Sequence, residues 1–194
     1  MTGSLVPEAV LPRLRGTFGR EYHYAATTAS TQHMLPDGAG HGAVALAEHQ
    51  TAGRGRLGRV WEAPAGKAIL CSVLLRPEPR MPFWPELSLV AGEAVAAALR
   101  AETGIDASLR HPNDVVVAGR KLVGVLPEAA DGRVVLGIGV NVNQTAEELP
   151  LDTPKVPTSL RLELGREFPR APLLAAILLE LERGYDAWTA GHTH

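Results

Sequence analysis

Residues 43–66 read AVALAEHQTAGRGRLGRVWEAPAG, and how they divide decides the fold class. Ala43 to Glu48 is an apolar run of strand length, while 49–59 is too rich in glycine and charge for a core element. That second part reads as a long loop. Gly53, Gly55 and Gly58 satisfy the G-x-G-x-x-G pattern of dinucleotide-binding folds, which needs a strand before it and a helix after it. Pro64 and Gly66 block the helix, so that reading fails. Val60 extends the match to the glycine-rich loop of protein kinases, but no His-Arg-Asp or Asp-Phe-Gly follows in a chain of 194 residues. What survives is physical. Glycines let a backbone wrap a ligand closely, and Arg54, Arg56 and Arg59 offer forks that match phosphate or carboxylate oxygens.

Outward from this loop, helices and strands are interspersed without a repeat. Glu21 to Ala25 reads as a strand, and Ser30 or Thr31 as the cap of a brief helix that ends before Pro36. Ala68 to Leu75 is continuously apolar, which predicts a strand buried on both faces. Pro77, Pro79, Pro82 and Pro85 punctuate a linker into a helix over about 86–102. Strands follow at Val115–Val117, Lys121–Leu126 and Val134–Val142, with Pro127 expected to interrupt the second and Asp131-Gly132 to turn the chain into the third. A polar, proline-containing loop fills 144–157. A last amphipathic helix spans roughly 171–188, with Leu174, Ile177, Leu178, Leu181, Tyr185 and Trp188 as its stripe. Hairpin-paired strands with interspersed helices predict an α+β (mixed α/β) domain, a mixed, largely antiparallel sheet with helices packed on it.

Composition excludes several function classes. Hydrophobic residues make up 45% and charged residues 21%, as in a globular domain. A formal net charge of -2 supplies no global field for nucleic acid, which sets aside an RNA-binding Arg-Gly tract. No run approaches a membrane span, and the first residues lack a signal-peptide core. Cys71 is the only cysteine, so disulfides and cysteine-based zinc sites are out, and a cytoplasmic protein is the expectation. The seven histidines match no zinc template, and His192-x-His194 sits at a terminus. Lysine is scarce, occurring only at 67, 121 and 155.

Two further segments carry chemistry. Arg110-His111-Pro112-Asn113-Asp114 precedes a turn that leads into Lys121-Leu122-Val123-Gly124. A lysine entering an apolar strand is either a snorkelling edge residue or an anion ligand, and Gly124 inside that strand allows a ligand close to the backbone. Gly137-Ile138-Gly139-Val140-Asn141 likewise leaves open strand surface, with Asn141 near its end able to read a polar group.

Taken in order, Ser30-Thr31, the run 47–61, Pro112-Asn113-Asp114, Lys121-Leu122-Val123-Gly124-Val125-Leu126 and Gly137–Asn141 resemble the biotin–protein ligases. These belong to a wider group that includes lipoate ligases, and the resemblance covers about residues 22–188. It implies a class II synthetase-like catalytic domain over 21–190, after an N-terminal extension at 1–20. Neither the DNA-binding head nor the usual C-terminal β-barrel domain is expected. It further implies ATP-dependent activation of biotin to biotinyl-5′-adenylate with Mg²⁺, then transfer to a lysine of a biotin carboxyl carrier protein, by a monomer or homodimer. Neither nucleic acid nor membrane is an expected partner. A lipoate ligase or acyltransferase of the same group, and a non-catalytic biotin-binding module, are the alternatives.

By the same resemblance, Ser30, Thr31, Gln50, Gly53, Arg54, Arg56, Lys121 and Gly124 would contact biotin. Arg56, Arg59, Trp61, Asn113, Lys121 and Asn141 would surround the nucleotide. Lys121, Arg56 and Asp114 would carry catalysis, Asp114 by orienting Lys121 or helping the incoming amine, and no protein-ligated metal site is implied. The chain departs from the family where Arg110-His111 replaces the usual Lys-Trp and Gln32 replaces Asn.

Overall fold

The computed structural model describes residues 3–77, 84–151 and 153–192. The middle of the proline-punctuated linker, including Pro79 and Pro82, lies outside them, as does His194. Seven strands form one sheet among the described residues: β1 (Tyr22–Thr28), β2 (Val44–Gln50), β3 (Ala68–Leu75), β4 (Ser108–Arg110), β5 (Asp114–Val117), β6 (Arg120–Ala130) and β7 (Arg133–Asn141). Their order is β1-β2-β3-β7-β6-β5-β4. β1 and β2 run parallel, and each other neighbouring pair is antiparallel. The mixed, largely antiparallel sheet predicted from the hairpins is the sheet observed.

The turn at Asp131-Gly132 has both central residues at positive φ (52° and 73°), the geometry that matches the twist of a tight hairpin. Pro127 does not interrupt β6, contrary to expectation; it pairs with Leu136 inside the strand. The reason is its side of the ladder. Val125 N–H donates outward to Asn113, so the nitrogen two residues on also faces outward, where β5 has already ended and no donor is required. The three-residue edge strand β4 is too short to leave a pattern in the sequence.

Among the described residues the four α-helices are α1 (Pro7–Val10), α2 (Leu87–Thr103), α3 (Leu160–Leu164) and α4 (Arg170–Gly191). None among the described residues is long and apolar enough to cross a membrane. Helices α2 and α4 cover one face of the sheet. Ile69, Cys71, Val73 and Leu75 of β3 and Leu136, Ile138 and Val140 of β7 share a core with Leu87, Val95 and Leu99 of α2 and Leu174, Ile177 and Leu181 of α4. Each such leucine or isoleucine contributes about 1.5–3 kcal/mol on full burial. Within the N-terminal extension, Leu5, Val10, Leu14 and Phe18 belong to this same core. They are fastened by Glu48, which accepts from Leu5 N–H at 2.8 Å and from the Arg170 guanidinium at 2.6 Å.

The opposite face is where the site lies. Here Leu70 packs with Ala63, Ala68 and Trp61, so β3 is buried on both sides as its unbroken apolar run predicts. Register places Leu70, Gly139, Gly124 and Asp114 in one row across β3, β7, β6 and β5. Two glycines in the middle of that row make a trough in the sheet.

Candidate active site

The trough is the floor of a cavity of about 450 Å³. Two loops wall it: 51–66, which leaves β2, and 150–157, which follows β7. Loop 51–66 folds back as a narrow arch. Trp61 N–H donates to the Gly53 carbonyl at 3.0 Å, Gly55 N–H donates to that of Arg59 at 2.8 Å, and Leu57 stands at the exposed tip. Only a glycine fits at 53, because a β-carbon there would lie 2.2 Å from the Trp61 carbonyl oxygen.

Three chemical zones succeed one another across the sheet. The first is neutral and polar. Gln50, at the end of β2, accepts from Thr31 N–H at 2.8 Å and from its hydroxyl at 3.0 Å, and that hydroxyl is 2.8 Å from Ser72 Oγ on β3. Ser30 is buried beside them, and Gln32 reaches across to donate to the Leu126 carbonyl. The second zone is apolar. The Trp61 ring lies directly on the floor, so that β-carbons at Gly139 and Gly124 would come within 2.5 and 2.8 Å of it. Leu70 also borders this zone, while Cys71 beside it turns its side chain into the core under the helices. Burial pushes the Cys71 thiol up to about 12, which leaves it protonated and inert.

The third zone is cationic. Lys121 Nζ lies 2.9 Å from Asp114 Oδ1 and 5.5 Å from the centre of the Trp61 ring. The second oxygen of Asp114 takes Lys155, from loop 150–157. Burial works to raise the Asp114 pKa, but hydrogen bonds from Lys155 and then Lys121 outweigh it, and the carboxyl is held below its ordinary value. Arg56 donates to Asn113 Oδ1 at 3.0 Å, and the Asn113 amide is itself pinned to the Val125 carbonyl. Arg59 and Asn141 complete the border, with Asn141 Oδ1 accepting from Gln144 at 2.8 Å. From β3 to β5 is three strand spacings, about 14 Å.

Of the residues singled out in the sequence, Ser30, Thr31, Gln50, Arg54, Arg56, Arg59, Trp61, Asn113, Asp114, Lys121, Gly124 and Asn141 all border this one cavity. Gly53 does not; it shapes the arch from behind. Arg54 borders the cavity with its fork committed to Glu128, at 3.0 and 3.1 Å, and to His33 at 3.1 Å. Arg110 and His111, where the family usually has Lys-Trp, are exposed and outside the cavity. Gln32 and Gly137, noted in the sequence without an assigned contact, border it as well, and sequence reasoning missed Lys155 and Pro157. The scarcity of lysine was the one available signal for Lys155.

Among the described residues, no group of three His, Cys, Asp or Glu is placed to hold a metal ion. Among the described residues, the cavity border has two carboxylates, Asp114 and Glu62, and Asp114 is occupied by two lysines. This donor set suits a magnesium ion carried by a nucleotide's own phosphates, because the side-chain oxygens of Asn113 and Asn141 already accept from Arg56 and Gln144.

The model of the biotin/lipoate A/B protein ligase family matches residues 24–144. Among similar proteins, the bifunctional ligase/repressor BirA of Bacillus spizizenii is 38% identical over 175 residues, covering 87% of this chain and 54% of its own length. The chain thus spans about half of that relative. The biotin–[acetyl-CoA-carboxylase] ligase of Mycobacterium tuberculosis is 42% identical over 183 residues, 89% of this chain and 67% of that protein. In structure, the biotin protein ligase from Aquifex aeolicus in complex with biotin and ATP superposes with a TM-score of 0.80 at 32% identity, over 88% of this chain and 72% of that one. A family match across more than half of its residues, on the sheet, the arch and the lysine strand that build the cavity, makes this chain a member of the biotin/lipoate A/B protein ligase family.

Proposed function

We propose that the chain is the catalytic domain of an ATP-dependent biotin–protein ligase acting on a biotin carboxyl carrier protein. The observation that carries this is the order of the three zones. A neutral hydrogen-bonding end, an apolar waist and a cationic end follow the chemistry of biotin: a ureido ring, a thioether ring with an aliphatic tail, and a carboxylate. The thiol-free polar end at Ser30, Thr31 and Gln50 suits a ureido group, which both donates and accepts, and gives a dithiolane such as lipoate nothing to pair with. The names of the Mycobacterium and Aquifex proteins point the same way.

In the first half-reaction a biotin carboxylate oxygen attacks the α-phosphorus of ATP and pyrophosphate leaves. Two anions must approach, and Lys121, Arg56 and Arg59 supply the compensating charge at the end of the cavity where they meet. A nucleotide-bound magnesium ion would add charge neutralisation on the leaving phosphates. Asn113 holds Arg56 toward the floor, which reduces the ordering cost of the encounter. Trp61 and the arch exclude water from the mixed anhydride. In the second half-reaction the carrier's lysine amine attacks the acyl carbon, the C–O bond to AMP breaks, and the amide forms with loss of a proton.

The test is transfer of biotin to a carrier domain with ATP and Mg²⁺, alongside lipoate as competitor. Lys121→Ala is expected to lower transfer by at least about 100-fold with the melting temperature retained. Unchanged transfer by that variant, or preferential use of lipoate, would overturn the reading.

A further inference from the structure

Two of the chain's three lysines hold one carboxylate. The Asp114 side chain is 6% exposed, and its two oxygens are divided between Lys121 on β6 and Lys155 on the loop. The division is built into the backbone. Lys121 N–H donates to the Val156 carbonyl and Thr158 N–H to the Lys121 carbonyl, both at 2.8 Å, so Lys121 and Pro157 form a short parallel bridge. That bridge sets Lys155 opposite Asp114. Thr153 Oγ1 donates to the Lys155 carbonyl and steadies the turn before it.

A single lysine on a buried aspartate makes a closed, neutral pair. To serve a substrate it must abandon the carboxylate, and a buried charge left unpaired is costly. With two ammonium groups on one carboxylate the cluster carries a net positive charge, and one of the two can leave without baring Asp114. Lys121 is the one beside Trp61 and the glycine row, where the reacting oxygens meet if the ligase reading holds. On that reading, we propose that Lys155 is a positioning residue for adenylate formation. It keeps Asp114 paired while Lys121 turns from that carboxylate to the carboxylate and phosphate oxygens of the substrates.

Because the chain has only lysines 67, 121 and 155, each can be followed separately by mass spectrometry after trace acetylation with an N-hydroxysuccinimide ester. In Lys155→Met, Asp114 has Lys121 alone to hold, and acetylation of Lys121 relative to Lys67 is expected to fall about threefold to fivefold. Lys155→Arg should restore it. If Lys155 merely tied down its loop, its loss would uncover Lys121 and labelling would rise. A rise, or no change, overturns the proposal. In an Asp114→Asn background the Lys155→Met change should have no further effect, and a persisting effect also counts against it. Biotin-dependent exchange of pyrophosphate into ATP supplies the second readout. In Lys155→Met its kcat should fall about tenfold while the biotin KM stays within about twofold. An unaltered kcat, or a loss confined to KM, overturns the positioning role. Absence of exchange in the parent chain would count against the ligase reading, whereas the sharing of Asp114 is read by the labelling, without any substrate.

Discussion

A methyl group at position 139 has no room. Built onto Gly139, a β-carbon would lie 2.5, 2.7 and 2.9 Å from Cε2, Cζ2 and Nε1 of Trp61. Ordinary contact between carbons begins near 3.5 Å, so the indole must withdraw by about 1 Å. It cannot slide along the floor, because Gly124 beside it is filled to 2.8 Å by the same ring. Nor can its backbone retreat, since Trp61 is hydrogen-bonded to Gly53 and packed against it. The remaining direction is upward, into the cavity. Overpacking of this kind costs about 1–3 kcal/mol, whereas strand propensity alone would make alanine the better residue by about 0.5–1 kcal/mol. The sign of the effect therefore tells the two apart. Gly139→Ala should lower the melting temperature by about 2–4 °C per kcal/mol lost, and titration calorimetry should show biotin binding weakened about 10- to 100-fold. Replacing Trp61 by Leu in the same chain should remove most of the stability cost of the alanine, a non-additivity expected only of residues in contact. A Gly139→Ala variant that melts higher than its parent and binds biotin with the parent's affinity would show that the indole does not rest on this strand.

Other consequences are as concrete. Ala118 sits at φ 48°, followed by Gly119 at 79°; Ala118→Asn supplies the residue that tolerates this turn and should raise unfolding stability by about 0.5–1 kcal/mol in a denaturant titration. Arg170→Met leaves Glu48 without its ion pair in a nearly closed environment and should cost about 3 kcal/mol, with faster proteolysis of the N-terminal segment that Glu48 anchors. Because the two lysines depress the Asp114 pKa despite its burial, the stability its charge contributes is complete above the ordinary carboxylate value of about 3.9 and is lost as pH falls through the lowered value. Asp114→Asn should accordingly be less stable than its parent at pH 7, and parallel melts should converge well below about pH 4.

The fold was legible wherever one strand or helix carries its own pattern. Ala68 to Leu75 announces burial on both faces, and helix α4 shows its stripe from Leu174 to Trp188. Asp131-Gly132 specifies its own turn. Pro127 misled because the cost of a proline depends on which edge of the strand is paired, and only the register with β5 reveals that its nitrogen faces the edge where that pairing has ended. The same limit governs the site. Lys121 could be singled out locally, since a lysine interrupting an apolar strand is anomalous where it stands. Lys155 could not. A lysine in a proline-rich loop is ordinary, and its meaning arises when the bridge between Lys121 and Pro157 carries it to a carboxylate 41 positions away in the chain.

The glycine–arginine run shows how one motif divides its labour. Its arginines look equivalent in sequence, yet Arg54 turns its fork to Glu128 and His33, outside the zone where charge is needed, while Arg56 is turned onto Asn113 at the cationic end. Of its glycines, Gly53 touches no part of the cavity and is there so that Trp61 can close the arch. The run is thus a wall of the cavity as much as a phosphate cradle. Its two limbs are tied to each other by Gly53–Trp61 and Gly55–Arg59 and to the sheet side by Arg54–Glu128 and Arg56–Asn113, beyond which Leu57 stands exposed. Affinity for the apolar middle of the ligand should then depend on Trp61 where it lies over the glycine row, and affinity for the anionic end on Arg56 together with the two lysines that share Asp114.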